Sequence, residues 1–188
     1  RQVITYNKPP VTADGKKPTI VFITFEQDLA ALYYFLYAGI IENKYRRPLT
    51  EEEAVVDDMT KALVVYNHFK ETGWNVVIKH QIGNFWIYAD FFQYTATLEA
   101  NGCKIFGIFS DYLYKISREG CDQSKIIGED TKLLFSRIRD KYKLTDTFFW
   151  TPHQMSKSAR EFLNYGTGLL VEDVCGKGLL EGCGSLDN

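Results

Sequence analysis

The chain has 188 residues, of which 45% are hydrophobic, 15% aromatic and 24% charged, and its formal net charge is −2. This length and composition predict one globular domain with a hydrophobic core and exclude a membrane span, because no apolar run approaches the roughly 20 residues that a span needs. The small net charge means that a nucleic-acid site has to be a local patch. The four cysteines show no C-x-x-C spacing, which favours reduced thiols in a cytoplasmic protein over a disulfide framework or a zinc site.

The first half of the chain predicts helices alternating with strands. The predicted elements are the end of a helix over 1–7, a strand over 20–25, a helix over 28–41, a helix over 50–72 and a strand over 75–79. Pro9 and Pro10 stop the first helix. Thr50 followed by Glu53 forms a capping box, and Gly73 is a typical residue just after a helix. The connection over 44–73 is long for a single crossover, which predicts an inserted helix.

The second half continues the alternation. The predicted elements are a helix over 91–101 ended by Gly102, a strand over 104–109, an amphipathic helix over 130–142 and a strand over 146–150. The aromatic segment over 84–94 predicts core packing, with a subunit contact as the alternative. The glycine-rich tail from Ser156 predicts loops. Strands that alternate with helices predict right-handed crossovers, and therefore an α/β domain with a mostly parallel sheet.

Polar residues follow three of the predicted strands. Glu26 follows the first, Asp111 follows the third, and His153 and Gln154 follow the fourth. In parallel sheets ligands bind beyond the carboxyl ends of the strands, so we expect these side chains to lie at one edge. The alternative for Glu26 is the first turn of a helix, where the positive end of the helix dipole stabilises an acid.

These residue types fit phosphate chemistry. An aspartate after an apolar strand, as in "IFGIFSDYL", is the Walker B pattern, in which the carboxylate orients Mg²⁺ beside nucleotide phosphates, usually through water. Glu26 would act as the general base for an attacking water. Gln154 would hydrogen-bond the γ-phosphate and report its loss. The alternatives are a turn cap for Asp111 and a plain loop residue for Gln154. His153 is either the sensor or a plain loop histidine, and we favour the loop histidine.

The ordered phrases "TIVFITFE", "IFGIFSDYLYKI", "TFFWTPHQMSKSAR" and "LLEGCGSLDN" resemble the RecA-like motor domain of DnaB-type replicative DNA helicases, particularly phage ones. The resemblance implies a RecA-like fold over 1–188 with ATP and Mg²⁺ as ligands. It implies that Glu26 activates water, that Asp111 holds magnesium and that Gln154 senses the γ-phosphate. It also implies that Lys157, Arg160 and Lys177 face single-stranded DNA, where lysine and arginine would contact phosphates without sequence preference. The alternative for these three residues is ordinary solvated charge.

For the parent protein the resemblance implies a hexameric ring in the host cytoplasm that hydrolyses ATP, moves along single-stranded DNA and unwinds duplexes. A primase or a helicase loader would be its partner. The sequence departs from the family because it has no G-x-x-x-x-G-K-[ST] motif. We expect that P-loop upstream of Arg1 and the arginine finger beyond Asn188, so these 188 residues alone are expected to be inactive. Glu181 stands where many relatives carry arginine, which weakens a DNA role there.

Two other functions share these features. One is a RecA-like ATPase of the recombinase or clock type, which has the same kind of polar residues after its strands. The other is a non-catalytic module for assembly or DNA binding that keeps the fold without a P-loop.

Overall fold

The computed structural model of the chain describes residues 8–81, 85–121 and 129–152. Within these ranges the strands are β1 (Lys17–Thr24), β2 (Asn75–His80), β3 (Cys103–Asp111) and β4 (Phe148–Trp150). The helices are α1 (Leu29–Tyr45), α2 (Glu51–Ala54), α3 (Asp58–Thr72), α4 (Tyr88–Ala100) and α5 (Glu129–Lys143), with a 3-10 helix at Leu113–Lys115. The predicted helix end over 1–7 and the tail from Ser156 lie outside the described residues.

The four strands form one parallel sheet in the order β2-β1-β3-β4. The chain passes from β1 to β2 on one side and then crosses back past β1 to reach β3 on the other side. The carboxyl ends of β1 and β3 therefore flank the point where the strand order reverses, which is where open α/β sheets bind their ligands. The predicted parallel α/β sheet is confirmed.

Helices cover both faces of the sheet. On one face α1 and α3 contribute Leu36, Ile40, Val65 and Phe69 to a buried cluster that includes Ile20 of β1. On the other face a second cluster joins α4 and α5 to the sheet, through Val21, Ile23, Phe91, Ile105, Ile108, Leu134 and Ile138. Neighbouring residues of β1 thus face opposite cores, as the alternation of side chains along a strand requires.

The register between β1 and β3 contains one irregularity. Thr19 pairs with Ile105, but Ile20 pairs with Gly107, so Phe106 is the extra residue. Ile105 and Ile108 consequently belong to the same core although they are three residues apart. A bulge of this kind re-aims the side chains that follow it, and Asp111 lies further along the same strand.

The predicted helix over 50–72 is divided into α2 and α3. The predicted capping box is confirmed, because Thr50 accepts a hydrogen bond from the Glu53 N–H and Glu53 accepts one from the Thr50 N–H. Asp57 then starts a new helix, since its carboxylate accepts a hydrogen bond from the Thr60 N–H at 3.0 Å. Gly73, with φ of +85°, ends α3 as predicted.

The aromatic segment over 85–94 packs mainly in the core. Phe91 is fully buried, and Trp86, Tyr88 and Phe92 pack against the same cluster. Phe85 differs, because 78% of its surface is exposed. Among the described cysteines, Cys103 and Cys121 are buried free thiols, as predicted. In the described ranges no helix combines the length and the apolar character that crossing a membrane requires.

Candidate functional site

Glu26 lies in a tight turn just beyond β1. The Thr24 hydroxyl accepts a hydrogen bond from the Gln27 N–H at 2.9 Å and donates one to the Gln27 carbonyl at 3.1 Å. Phe25 is buried in the core under α4 and α5, so the next residue, Glu26, projects outward. Asp28 is the N-cap of α1, because its carboxylate accepts from the Ala31 N–H. Glu26 therefore precedes the helix, and its alternative placement in a first helical turn is wrong.

Asp111 is the last residue of β3, on the strand next to β1. The predicted strand over 104–109 is too short, because Ser110 and Asp111 still pair with Ile23 and Thr24. The Asp111 carbonyl accepts a hydrogen bond from the Phe25 N–H at 2.8 Å. The backbone thus joins the two strand exits that carry Glu26 and Asp111.

The surroundings of Asp111 disfavour its ionised form. Burial raises the pKa of the Asp111 carboxyl, and the negative charge of Glu26 raises it further. Both effects disfavour a second uncompensated negative charge at this edge of the sheet. A cation bound beside Asp111 would relieve both.

Lys115 is a member of the site that the sequence does not reveal. Its ammonium forms an ion pair with Glu26 Oε1 at 2.5 Å, and about a third of each side chain is exposed (39% for Lys115 and 36% for Glu26). Lys115 ends the 3-10 helix that follows β3, four residues after Asp111 in the phrase "SDYLYK". Spacing alone does not predict the pair, because the turn of the short helix decides where the lysine points.

The third strand exit lies at the same edge. β4 is parallel to β3 and adjacent to it, and Thr151 follows its last residue, Trp150. The Thr151 hydroxyl accepts a hydrogen bond from the Leu113 N–H at 3.0 Å, which ties this exit to the segment after Asp111. His153 and Gln154 come next but lie outside the described residues, as do Lys157, Arg160 and Lys177. Their roles stay predictions.

A cleft of about 860 Å³ opens at this edge, and Asp111 lines it while Glu26 lies outside the lining. Its polar residues are Thr24, Gln27, Ser110 and Asp111, and its apolar residues include Phe22, Leu32, Phe35, Phe109 and Trp150. Phe22 and Phe109 stack with their ring centroids 5.0 Å apart. The cleft therefore combines an apolar wall with a polar end at the exits of β1 and β3.

The donor set fits Mg²⁺ held together with phosphates. Within residues 8–81, 85–121 and 129–152, no group of three or more histidine, cysteine, aspartate or glutamate side chains is placed to hold a metal ion. Mg²⁺ commonly takes one or two carboxylates and completes its coordination with water and substrate phosphates. Asp111 would supply one such carboxylate.

Comparison with known proteins decides the family. The sequence profile of the family "Divergent DnaB-like ATPase" matches residues 1–188. The chain belongs to this family. The resemblance to the DnaB-type RecA-like domain is thereby confirmed.

Two solved structures share the fold of this divergent DnaB-like ATPase. The first is described as an ATPase domain and has a TM-score of 0.56 and 13% sequence identity, over 89% of this chain and 57% of the other. The second, a DnaB-like replicative helicase studied for its interactions with primase, has a TM-score of 0.50 and 15% identity, over 83% of this chain and 37% of the other. This chain thus spans little more than half of the first structure and little more than a third of the second. No curated protein matches the sequence.

Proposed function

We propose that this chain is part of the ATPase motor domain of a replicative DNA helicase. The observation that carries the proposal is the meeting of Glu26 and Asp111 at the carboxyl ends of adjacent parallel strands, beside the reversal of strand order. A RecA-like ATPase needs one carboxylate to orient a metal ion and another to act on water. Asp111 and Glu26 are the candidates for these two roles, and the chain belongs to a DnaB-like ATPase family.

In the proposed reaction the attacking water loses a proton to Glu26 as its oxygen bonds to the γ-phosphorus. The bond between that phosphorus and the bridging oxygen breaks, and its electron pair leaves with ADP. Asp111 would hold Mg²⁺, and the ion would neutralise charge on the phosphates. Glu26 suits the role of base because it is partly exposed and precedes α1, so water can reach it.

The finer assignments extend beyond the described residues. Gln154 follows the exit of β4 by sequence and would hydrogen-bond the γ-phosphate. Lys157, Arg160 and Lys177 would contact the backbone of single-stranded DNA, which predicts binding that weakens with salt. The chain contains no G-x-x-x-x-G-K-[ST] motif, so none of its residues is assigned to cradling the phosphates.

The proposed assembly of the parent is a hexameric ring that hydrolyses ATP to translocate on single-stranded DNA and unwind duplexes. Rings follow from head-to-tail contacts that close on themselves. A primase is a candidate partner, since one fold relative is a DnaB-like replicative helicase studied with primase. A helicase loader is the alternative partner.

The direct test of the proposed base is the Glu26→Gln variant of the parent protein. We expect ATP turnover to fall by about 10²–10⁴-fold, the usual contribution of a positioned general base, while ATP binding is retained. Steady-state phosphate release measures the turnover. Glu71→Gln is the matched control, because Glu71 is exposed near the end of α3, at the opposite edge of the sheet, and should leave turnover unchanged.

Near wild-type turnover by the Glu26→Gln variant would refute the assignment of the base. One competing function is a non-catalytic module that keeps the fold. A parent protein without ATP turnover in any form would support that module, and turnover without unwinding of forked DNA would support a recombinase-type ATPase.

A further inference from the structure

Lys115 contacts the proposed catalytic base directly. Its Nζ lies 2.5 Å from Glu26 Oε1, and the contact joins the exit of β1 to the 3-10 helix after β3. No part of the proposed ATPase chemistry requires a lysine at this point. The contact therefore needs a role other than binding ATP or Mg²⁺.

The backbone of Lys115 is held between buried residues. Leu113 is fully buried and Ile116 is 1% exposed, and both belong to the core under α4 and α5. The Lys115 N–H donates to the Tyr112 carbonyl at 3.0 Å, and the Leu113 N–H donates to the Thr151 hydroxyl at 3.0 Å. The lysine therefore extends from a fixed turn, so its reach to Glu26 is set by the fold.

Stability does not account for this ion pair. Both partners are about one-third exposed, and pairs of that kind contribute little to folding because water and salt screen them. The charge balance of the site gives a better reason. Glu26 and Asp111 lie at the exits of adjacent parallel strands, and an ammonium beside Glu26 offsets the repulsion between two negative charges placed there.

We propose that Lys115 is a positioning residue that orients the Glu26 carboxylate for its role as general base. This inference rests on the proposed ATPase function of Glu26. By holding Oε1, Lys115 restricts rotation of the carboxylate and presents the other oxygen to the attacking water. A base has to lie within hydrogen-bond reach of the proton that it takes, so a loosely held carboxylate is less effective.

The test is a double-mutant cycle in the parent protein. We expect Lys115→Met to lower kcat for ATP about tenfold, because misplacement of a reacting group carries a penalty of that order or more. The ATP dissociation constant, measured by equilibrium binding, should change less than about twofold, since a positioning role spares ground-state binding. Lys115→Arg keeps the charge and should restore at least half of the lost rate.

The second arm places Lys115→Met in the Glu26→Gln background. Because Lys115 acts through Glu26, the double variant should turn over ATP no more slowly than Glu26→Gln alone. Lys143→Met is the matched control, since this exposed lysine ends α5 at the opposite edge of the sheet and should leave both constants unchanged. Thermal unfolding of each variant verifies that it is folded.

Three results would overturn the positioning role. They are an unchanged kcat in Lys115→Met, a further loss of rate when that change is added to Glu26→Gln, and a loss of ATP affinity as large as the loss of rate. The last two would indicate that Lys115 contacts a phosphate itself. Wild-type turnover by Glu26→Gln is a different result, because it refutes the proposed function and the positioning role together.

Discussion

At the scale of single residues, the site depends on a buried residue that is followed directly by an exposed one. Phe25 is anchored in the core, and its N–H donates to the Asp111 carbonyl, so the following residue, Glu26, must project outward. The sequence predicts that Glu26 and Asp111 are site residues, because each follows a run of apolar residues. It does not predict Lys115, because the direction of that long side chain depends on a 3-10 turn whose only sequence signal is the buried pair Leu113 and Ile116.

The raised pKa of Asp111 predicts a conflict between stability and activity. Without a bound cation, the ionised carboxylate is disfavoured by burial and by Glu26. Asp111→Asn removes that charge with little change of shape. We expect the variant without nucleotide or Mg²⁺ to melt about 1–3 °C higher at pH 7 in thermal unfolding, and to have lost ATP turnover in the parent protein.

The stabilisation expected for Asp111→Asn should depend on pH. A carboxyl whose pKa is raised in the folded state stabilises the fold while it is protonated, and that stabilisation is lost as the pH rises through the folded-state pKa. Below the usual value of 3.8, Asp111 is protonated in both the folded and the unfolded protein. The gain from Asp111→Asn should therefore vanish at pH 3, and a gain of equal size at pH 3 and pH 7 would contradict the electrostatic cause.

At the scale of elements, helix ends are set by local chemistry that the sequence shows only in part. The capping box at Thr50 and the glycine after Thr72 are both visible in the sequence and both confirmed. The break between α2 and α3 is not predicted, because helix-compatible residues continue through it. Asp57 is the N-cap of the second helix. The predicted end of β3 is two residues short, because pairing with β1 extends the strand as far as Asp111.

Gly73 and Gly102 provide a matched test of these helix ends. Both have φ above +80°, and an added Cβ would lie 3.3 Å from Pro9 Cγ at Gly73 but would meet no atom within 4 Å at Gly102. We expect Gly102→Ala to lower the free energy of unfolding by about 1 kcal/mol, the penalty of the left-handed conformation. Gly73→Ala should lower it by more, because Pro9 must also move.

Urea denaturation of the two glycine variants measures both values. Gly73→Asn is the control, since asparagine tolerates the left-handed conformation better than alanine does, and it should be the milder change at that position. An alanine at Gly73 that left the free energy of unfolding unchanged would show that α3 does not depend on its glycine end.

At the scale of the whole molecule, strand order is what brings the site together. The alternation of helices and strands predicts a parallel sheet with all the exits at one edge, which is confirmed for β1, β3 and β4. It does not predict which strands are neighbours, because that depends on the side to which each crossover goes. The order β2-β1-β3-β4 makes β1 and β3 neighbours, so Glu26, just after β1, and Asp111, at the end of β3, lie at adjacent strand exits.

The most direct test is a structure of the parent protein with Mg²⁺ and a non-hydrolysable ATP analogue. We expect the Asp111 carboxylate beside the magnesium ion, directly or through one water, and the Glu26 carboxylate within one bridging water of the γ-phosphate. A nucleotide bound away from the exits of β1 and β3 would contradict this expectation. So would Glu26 and Asp111 carboxylates directed to opposite sides of the bound phosphates.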